Sequence, residues 1–369
     1  MASSHSAAAD RSAREHDGWV TSSLVLFCLG SAVITVLGGL VQVSFGSFSM
    51  TLFEAWAAVF DPEVVFDPAA WNAFLLGGEM PEMDRRSLIV WNIRLPRVFV
   101  AMIAGATLAV SGAVFQAVTR NELASPFVLG VSSGAGFAVL ATLVVFSGLA
   151  PFLPFIAAAG GTVAFLIVYA IAWKGGTSPV RLVLAGVIVN MVFHSLQRGL
   201  FFMADDLGVV QTGIAWITGS LTGTGWEQVR FSIIPAAIAI LIALAGARQL
   251  NLLLLGERTA QSLGMRVERV RFLLSGVAIL AASVAISVAG IVSFFGLVVP
   301  HIVRNVVGSD YRQLMVGCLF AGPALMVAAD VGARLALSGQ QMPVGVVTGL
   351  LGGPYFLYLM RKQDSMGEL

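Results

Sequence analysis

Charge is scarce in this chain. Of 369 residues only 11% are Asp, Glu, Lys or Arg, while 57% are hydrophobic; soluble domains carry about 25% charged and about 45–50% apolar residues. No soluble core of this length absorbs so much apolar surface, so a soluble globular protein is excluded. Cysteine is nearly missing as well. Cys28 and Cys318 both fall inside apolar runs and act as small hydrophobes, which excludes a disulfide framework. A net charge of +1 gives no basis for nucleic-acid binding. The phosphate-cradling pattern G-x-x-x-x-G-K-[ST] occurs nowhere, so the chain has no ATP engine of that kind. Neither His194 nor His301 has a second His, Cys or carboxylate at ligand spacing; both read as packed or hydrogen-bonded side chains, with no metal site. Asp330 is the one acid deep in an apolar run, whereas a proton relay needs a series of them.

What the chain does have is long apolar runs. A bilayer core takes about 20 residues in helix, and such runs fall at 20–43, 91–118, 126–147, 152–173, 180–202, 229–249, 270–289, 291–307, 313–337 and 343–360. The run at 291–307 is the weakest, because it carries Pro300, His301 and Arg304. The expectation is an all-α polytopic membrane protein of about ten transmembrane helices: a polar tail at 1–18, one transmembrane domain at 19–361 and a short tail at 362–369. Placing the N-terminus in the cytoplasm puts 14 of the 21 Lys and Arg residues inside, including Arg120, Arg258, Arg266, Arg269, Arg271 and Arg304. The other seven, Arg85, Arg86, Arg94, Arg97, Arg198, Arg230 and Arg334, lie outside. The positive-inside rule therefore favours both termini in the cytoplasm.

Several stretches break the apolar pattern. "IRLPR" (93–97) sets Arg94 and Arg97 around Pro96 at the outer mouth of the second run. It follows an acidic segment with Glu54, Asp61, Glu63, Asp67, Glu79, Glu82 and Asp84, in which 50–60 can lie as an interfacial helix. These arginines either anchor a helix end at the headgroups or offer a docking point to an acidic partner. Asp330 and Arg334 are spaced i, i+4; they pair with each other, or Arg334 faces outward beside Arg94 and Arg97. The loop "LNLLLLGERTAQSLGMRVER" (250–269) is longer than a connector needs. Gly256 can open, and Gly264 can close, a short helix over 257–263, fit to receive a mechanical push from a soluble partner. "GVSSG" (130–134) matches a nucleophile elbow, but that motif needs a strand–turn–helix setting; inside an apolar run it reads as small-residue helix packing, as does "GLLGG" (349–353). Pro126 and Pro179 fit first-turn positions, and Ser125, Thr177 and Ser178 beside them either cap helices or line a narrow inner mouth.

Taken together, "IRLPRVFVAMIAGATLAVSGAVFQAVTRNELASPFVLGVSSGAG" (93–136), "RLVLAGVIVN" (181–190), "LLGERTAQSLGMRVERVR" (254–271), "VAGIVSFFGLVVPHIVRNVVGSDYRQLM" (288–315), "ADVGARLAL" (329–337) and "MPVGVVTGLLGGPYFLYLM" (342–360) resemble the FecCD-like permease subunits of type II ABC importers. That family carries iron–siderophores, haem and vitamin B12. The resemblance implies ten spans, a second permease copy, two cytoplasmic ATPases that hold ATP and magnesium, an external binding protein and no cofactor in this chain. It implies binding-protein docking by Arg94, Arg97 and Arg334, and ATPase coupling through Gly256, Glu257, Arg258, Ala260, Leu263 and Gly264. The inner gates would lie at Asn121, Glu122 and Leu123 and at Ser178, Pro179 and Val180. The family usually has Asn-Pro-Leu at the first gate; Glu122 departs from it. An iron(III)–siderophore chelate is the expected cargo, with haem or cobalamin as alternatives. The contrasting class is an ion-coupled secondary carrier, which would work alone and would need intramembrane acids or ion sites in broken helices. A membrane enzyme would need a catalytic partner for "GVSSG".

Overall fold

A computed structural model describes residues 19–46, 48–174, 176–336 and 341–367, with side chains to 358; the expected tail at 1–18 lies outside the described residues. The first span is α1 (Ser22–Ser44), capped at its start by Thr21. Three short helices follow outside the spans, α2 (Leu52–Val59), α3 (Pro62–Val65) and α4 (Pro68–Leu76), and α5 (Arg85–Ile89) then opens the second span. The interfacial helix expected at 50–60 is α2. It begins with a capping box in which Thr51 and Glu54 satisfy each other's backbone amides, and the Thr51 amide bond holds the Glu54 carboxyl below its ordinary range. Phe74 of α4 stacks between Trp91 and Trp226, at 5.4 and 4.9 Å, which pins this cap to the bundle.

The second span passes through a wide π turn, Val90–Arg94, and continues as α6 (Leu95–Thr119). Pro96 has no amide proton and its ring crowds the carbonyl four residues back. The Leu95 amide accordingly reaches five residues back to Val90. Then come α7 (Val131–Val145), α8 (Leu153–Ala172), α9 (Pro179–Phe202), α10 (Leu207–Thr218), α11 (Trp226–Ala245), α12 (Ala247–Leu254), α13 (Glu257–Ser262), α14 (Val267–Ala289), α15 (Phe295–Val307), α16 (Tyr311–Leu335) and α17 (Val344–Gly367).

Seven of the described helices are long and apolar enough to cross a membrane, and four shorter apolar ones accompany them. Each of the ten runs falls on one of these eleven helices; α10 lies outside all ten. The second span is the hub, with 83% of its apolar window buried against 22% for α1 and 28% for α9 and α11. Lipid gives helices no hydrophobic reason to associate, so close packing needs small residues, and α6 supplies them. A side chain on Gly112 would run into the Gly296 carbonyl of α15, and one on Gly105 into the Gly322 carbonyl of α16. "GVSSG" divides its work: Gly130, at φ 86°, opens α7 in a left-handed turn, and Gly134 packs against Gly160 of α8. In "GLLGG" Gly352 meets the Phe294 side chain, while Gly349 and Gly353 have open space beside them.

Candidate functional site

The 25 residues of α6 separate two polar clusters by about 37 Å at 1.5 Å per residue.

At the N-terminal end of α6 the three arginines singled out in the sequence converge. Helix α1 ends here, and the last carbonyls of a helix have no partners within it. Arg94 donates to the carbonyls of Val43, at 2.7 Å, and Phe48. Gly46 lies so close that a side chain there would press on the Arg94 guanidinium. Arg334 donates to the carbonyls of Gln42 and Phe45, at 3.1 and 2.8 Å. Arg97 takes a different partner: it grips Asp330 bidentately, Nε to Oδ2 at 2.9 Å and Nη2 to Oδ1 at 2.6 Å. Gln42 donates to the same carboxylate at 2.7 Å, and Gln341 accepts from Arg97 at 2.8 Å. The pair suggested by i, i+4 spacing, Asp330 with Arg334, is present but longer, at 3.4 Å. Asp330 is fully buried, and Arg94 and Arg97 are 4% and 5% exposed. The cluster thus holds three guanidiniums against one buried carboxylate.

At the other end α13 stands between two glycine joints, Gly256 at φ 99° and Gly264 at φ 82°. Ala260 is its one buried residue; Arg258 and Leu263 face outward. The two stretches expected to form gates meet beside it. Thr119, Arg120 and Asn121 line one side of a cavity of about 520 Å³, and Pro179, Val180, Val183 and Leu184 line the other. Arg120 closes α6 in a left-handed conformation, and the Asn121 side chain accepts from the Leu123 amide at 2.9 Å, which sets the turn. Pro179 takes the first turn of α9, with Ser178 before it. Glu122 reaches toward α15, 3.4 Å from Arg304 and 3.7 Å from His301, and Arg304 also donates to Gln116 at 2.9 Å. The unusual charge in the stretch expected to form the first gate therefore faces the Arg304 guanidinium and the His301 ring of a neighbouring helix. His194 lies away from this cluster and shares a hydrogen bond of 3.2 Å with Gln197.

Residues 34–362 match the FecCD transport family. The chain belongs to that family. It is 37% identical over 289 residues to the iron(3+)-hydroxamate import system permease protein FhuG of Bacillus subtilis (strain 168), across 76% of this chain and 85% of the relative. It is 38% identical over 354 residues to the hemin transport system permease protein HmuU of Yersinia pestis, across 94% and 95%. Against the vitamin B12 import system permease protein BtuC of Vibrio cholerae serotype O1 the identity is 38% over 280 residues, across 75% and 84%. A solved metal-chelate type ABC transporter in an inward-facing conformation superposes with a TM-score of 0.76 at 26% identity, covering 91% of this chain and 98% of that one. This FecCD protein is thus a multi-pass membrane permease of a type II ABC importer.

Arg271 escaped the sequence reading of this permease. It is fully buried and bonds to both Glu257 and Glu268. The i, i+3 spacing of Glu268 and Arg271 was a signal for half of that arrangement.

Proposed function

We propose that this permease receives an iron(III)–siderophore chelate from an external binding protein and passes it into the cytoplasm by alternating access, with ATP and magnesium held by two separate ATPase subunits. Two permease copies, a homodimer, enclose the pathway in the cell (inner) membrane, surrounded by lipid, with both termini cytoplasmic. The chain makes and breaks no bond in the cargo. The observation that carries this reading is the division of labour along α6. One end bears a surplus of guanidinium charge suited to carboxylates; the other bears a short jointed helix beside a gate cavity, in a chain without a phosphate loop of its own.

The guanidinium cluster at Arg94, Arg97 and Arg334 docks acidic lobes of the binding protein through its surplus positive charge, with Arg94 and Arg97 lying buried beneath the contact surface, and 256–264 is the ATPase-facing element. The gates are Asn121–Leu123 and Ser178–Val180. Similarity to the hydroxamate permease supports the iron chelate as cargo; the hemin and B12 relatives supply the competing cargoes.

The test is uptake by the permease in proteoliposomes with its ATPase and binding protein, offered a labelled ferric hydroxamate, haem or cobalamin. ATP-driven accumulation of the ferric hydroxamate is the expected result. Accumulation of haem or cobalamin alone would replace the cargo, and accumulation of none would overturn the importer reading.

A further inference from the structure

Helix α13 is set off from its neighbours in the chain by its two glycine joints and anchored to the body of the protein by buried Ala260. Among the described residues, one polar side-chain contact leaves it: Glu257 accepts from Nη2 of Arg271 at 2.6 Å. The other terminal nitrogen of Arg271 is spent on the segment that opens the second gate. Nη1 donates to the Thr177 carbonyl at 2.7 Å and lies 3.1 Å from the Thr177 hydroxyl. It also bonds Glu268 at 2.8 Å. Glu268 closes the ring, since its second oxygen accepts from the Thr177 amide at 3.1 Å and the Thr177 hydroxyl at 2.8 Å. Thr177 directly precedes Ser178 and Pro179, where α9 begins. Arg181, one turn into α9, donates back to the Gly176 carbonyl at 3.0 Å.

A guanidinium with no exposed surface tolerates burial only while its partners stay in place; a lost partner leaves charge uncompensated. The planar fork fixes the directions of its bonds. A displacement of Glu257 is therefore costly to absorb at Arg271 alone, and it is cheaper for Thr177 to follow. The hydrophobic contact of Ala260 holds α13 in place but points it at no particular partner.

We propose that Arg271 is the positioning residue that transmits movement of α13 to the start of α9, through Glu257 on one side and Thr177 with Glu268 on the other. ATP-driven displacement of the loop thereby becomes opening or closing of the cavity between Asn121 and Val180. This rests on the importer reading above and assigns its internal linkage.

The experiment uses the full complex of permease, ATPase and binding protein in proteoliposomes and compares wild type with Glu257→Gln, Arg271→Lys and the double variant. Cargo uptake and ATP hydrolysis are measured together. The gate is followed by maleimide labelling of Leu184→Cys, in a background in which Cys28 and Cys318 are replaced, with and without ATP. Each single variant is expected to assemble and hydrolyse ATP while uptake per ATP falls about fivefold or more, the scale of a typical coupling energy, and the ATP-dependent change in labelling disappears. The double variant is expected to add little to either single one. Unchanged uptake per ATP in Glu257→Gln, or strictly additive losses, would overturn the linkage while leaving the importer reading intact. Absence of ATP-driven uptake in the wild type would instead overturn the importer reading. Should Arg271→Lys fail to assemble, Glu257→Gln decides the question, because that side chain is 39% exposed and carries no core packing.

Discussion

Arg97 and Asp330, 233 residues apart in the chain, form a bidentate ion pair at 2.6 and 2.9 Å that ties the start of α6 to the end of α16. Gln42 of α1 bonds the same carboxylate, so three helix ends share one buried anion. Removing that anion strands Arg97 and weakens the hold on Arg334. Asp330→Asn is expected to destabilise the permease by about 3–5 kcal/mol, the usual cost of breaking a buried pair from one side. Thermal unfolding in detergent checks this; a melting temperature equal to wild type would mean that the pair does not hold the helix ends together.

Arg334 is the best docking probe of the three arginines. Its stabilising bonds go to two backbone carbonyls at the end of α1, and its longer contact to Asp330 duplicates one that Arg97 makes better. Arg334→Gln keeps a donor for those carbonyls and removes the charge. Loss of one charge-assisted contact, about 1.5–3 kcal/mol, predicts a fall in binding-protein affinity of about tenfold or more, with a shallower dependence on salt. Surface plasmon resonance at two ionic strengths reads both. Equal affinity at low salt would remove Arg334 from the docking face.

Ala260 is the buried centre of α13, and its amide bonds the Gly256 carbonyl at 2.9 Å. Ala260→Pro deletes that bond and costs about 3 kcal/mol in a helix interior, which breaks the helix. The expected outcome is an assembled complex that hydrolyses ATP and imports nothing. Normal uptake would show that the loop transmits no force.

Glu122 ties the proposed first gate to α15 through Arg304 and His301. The side chain is 48% exposed, so the latch is worth at most about 1 kcal/mol, and Glu122→Gln is expected to leave folding intact. Freeing the gate by that amount predicts a rise of up to about fivefold in ATP hydrolysis measured without binding protein. A basal rate identical to wild type would make Glu122 a surface charge with no part in the gate.

The spans were legible because lipid imposes a length and a composition, and each of the ten runs has its helix. Helix α10 was not, since its 12 residues are too few to register as a span and it is framed by Asp205, Asp206 and Gly219. The short α7 and α15 had longer runs around them because left-handed turns at Gly130 and Phe294 cut the helices while hydropathy continued. The arginine cluster was readable as a list of residues but not as a set of bonds. Local spacing offered Asp330 to Arg334, whereas the closer partner came from a helix 233 residues away. The same holds at the opposite end: Glu268 and Arg271 are neighbours on one helix face, but Glu257 and Thr177 reach Arg271 only through the fold.

The most direct measurement of the central claim is transport by the purified permease in proteoliposomes, with and without its ATPase subunits, in the presence of loaded binding protein and ATP. The account predicts accumulation of cargo only when the ATPase is present, and none under an ion gradient alone. Accumulation by the permease without any ATPase would contradict it.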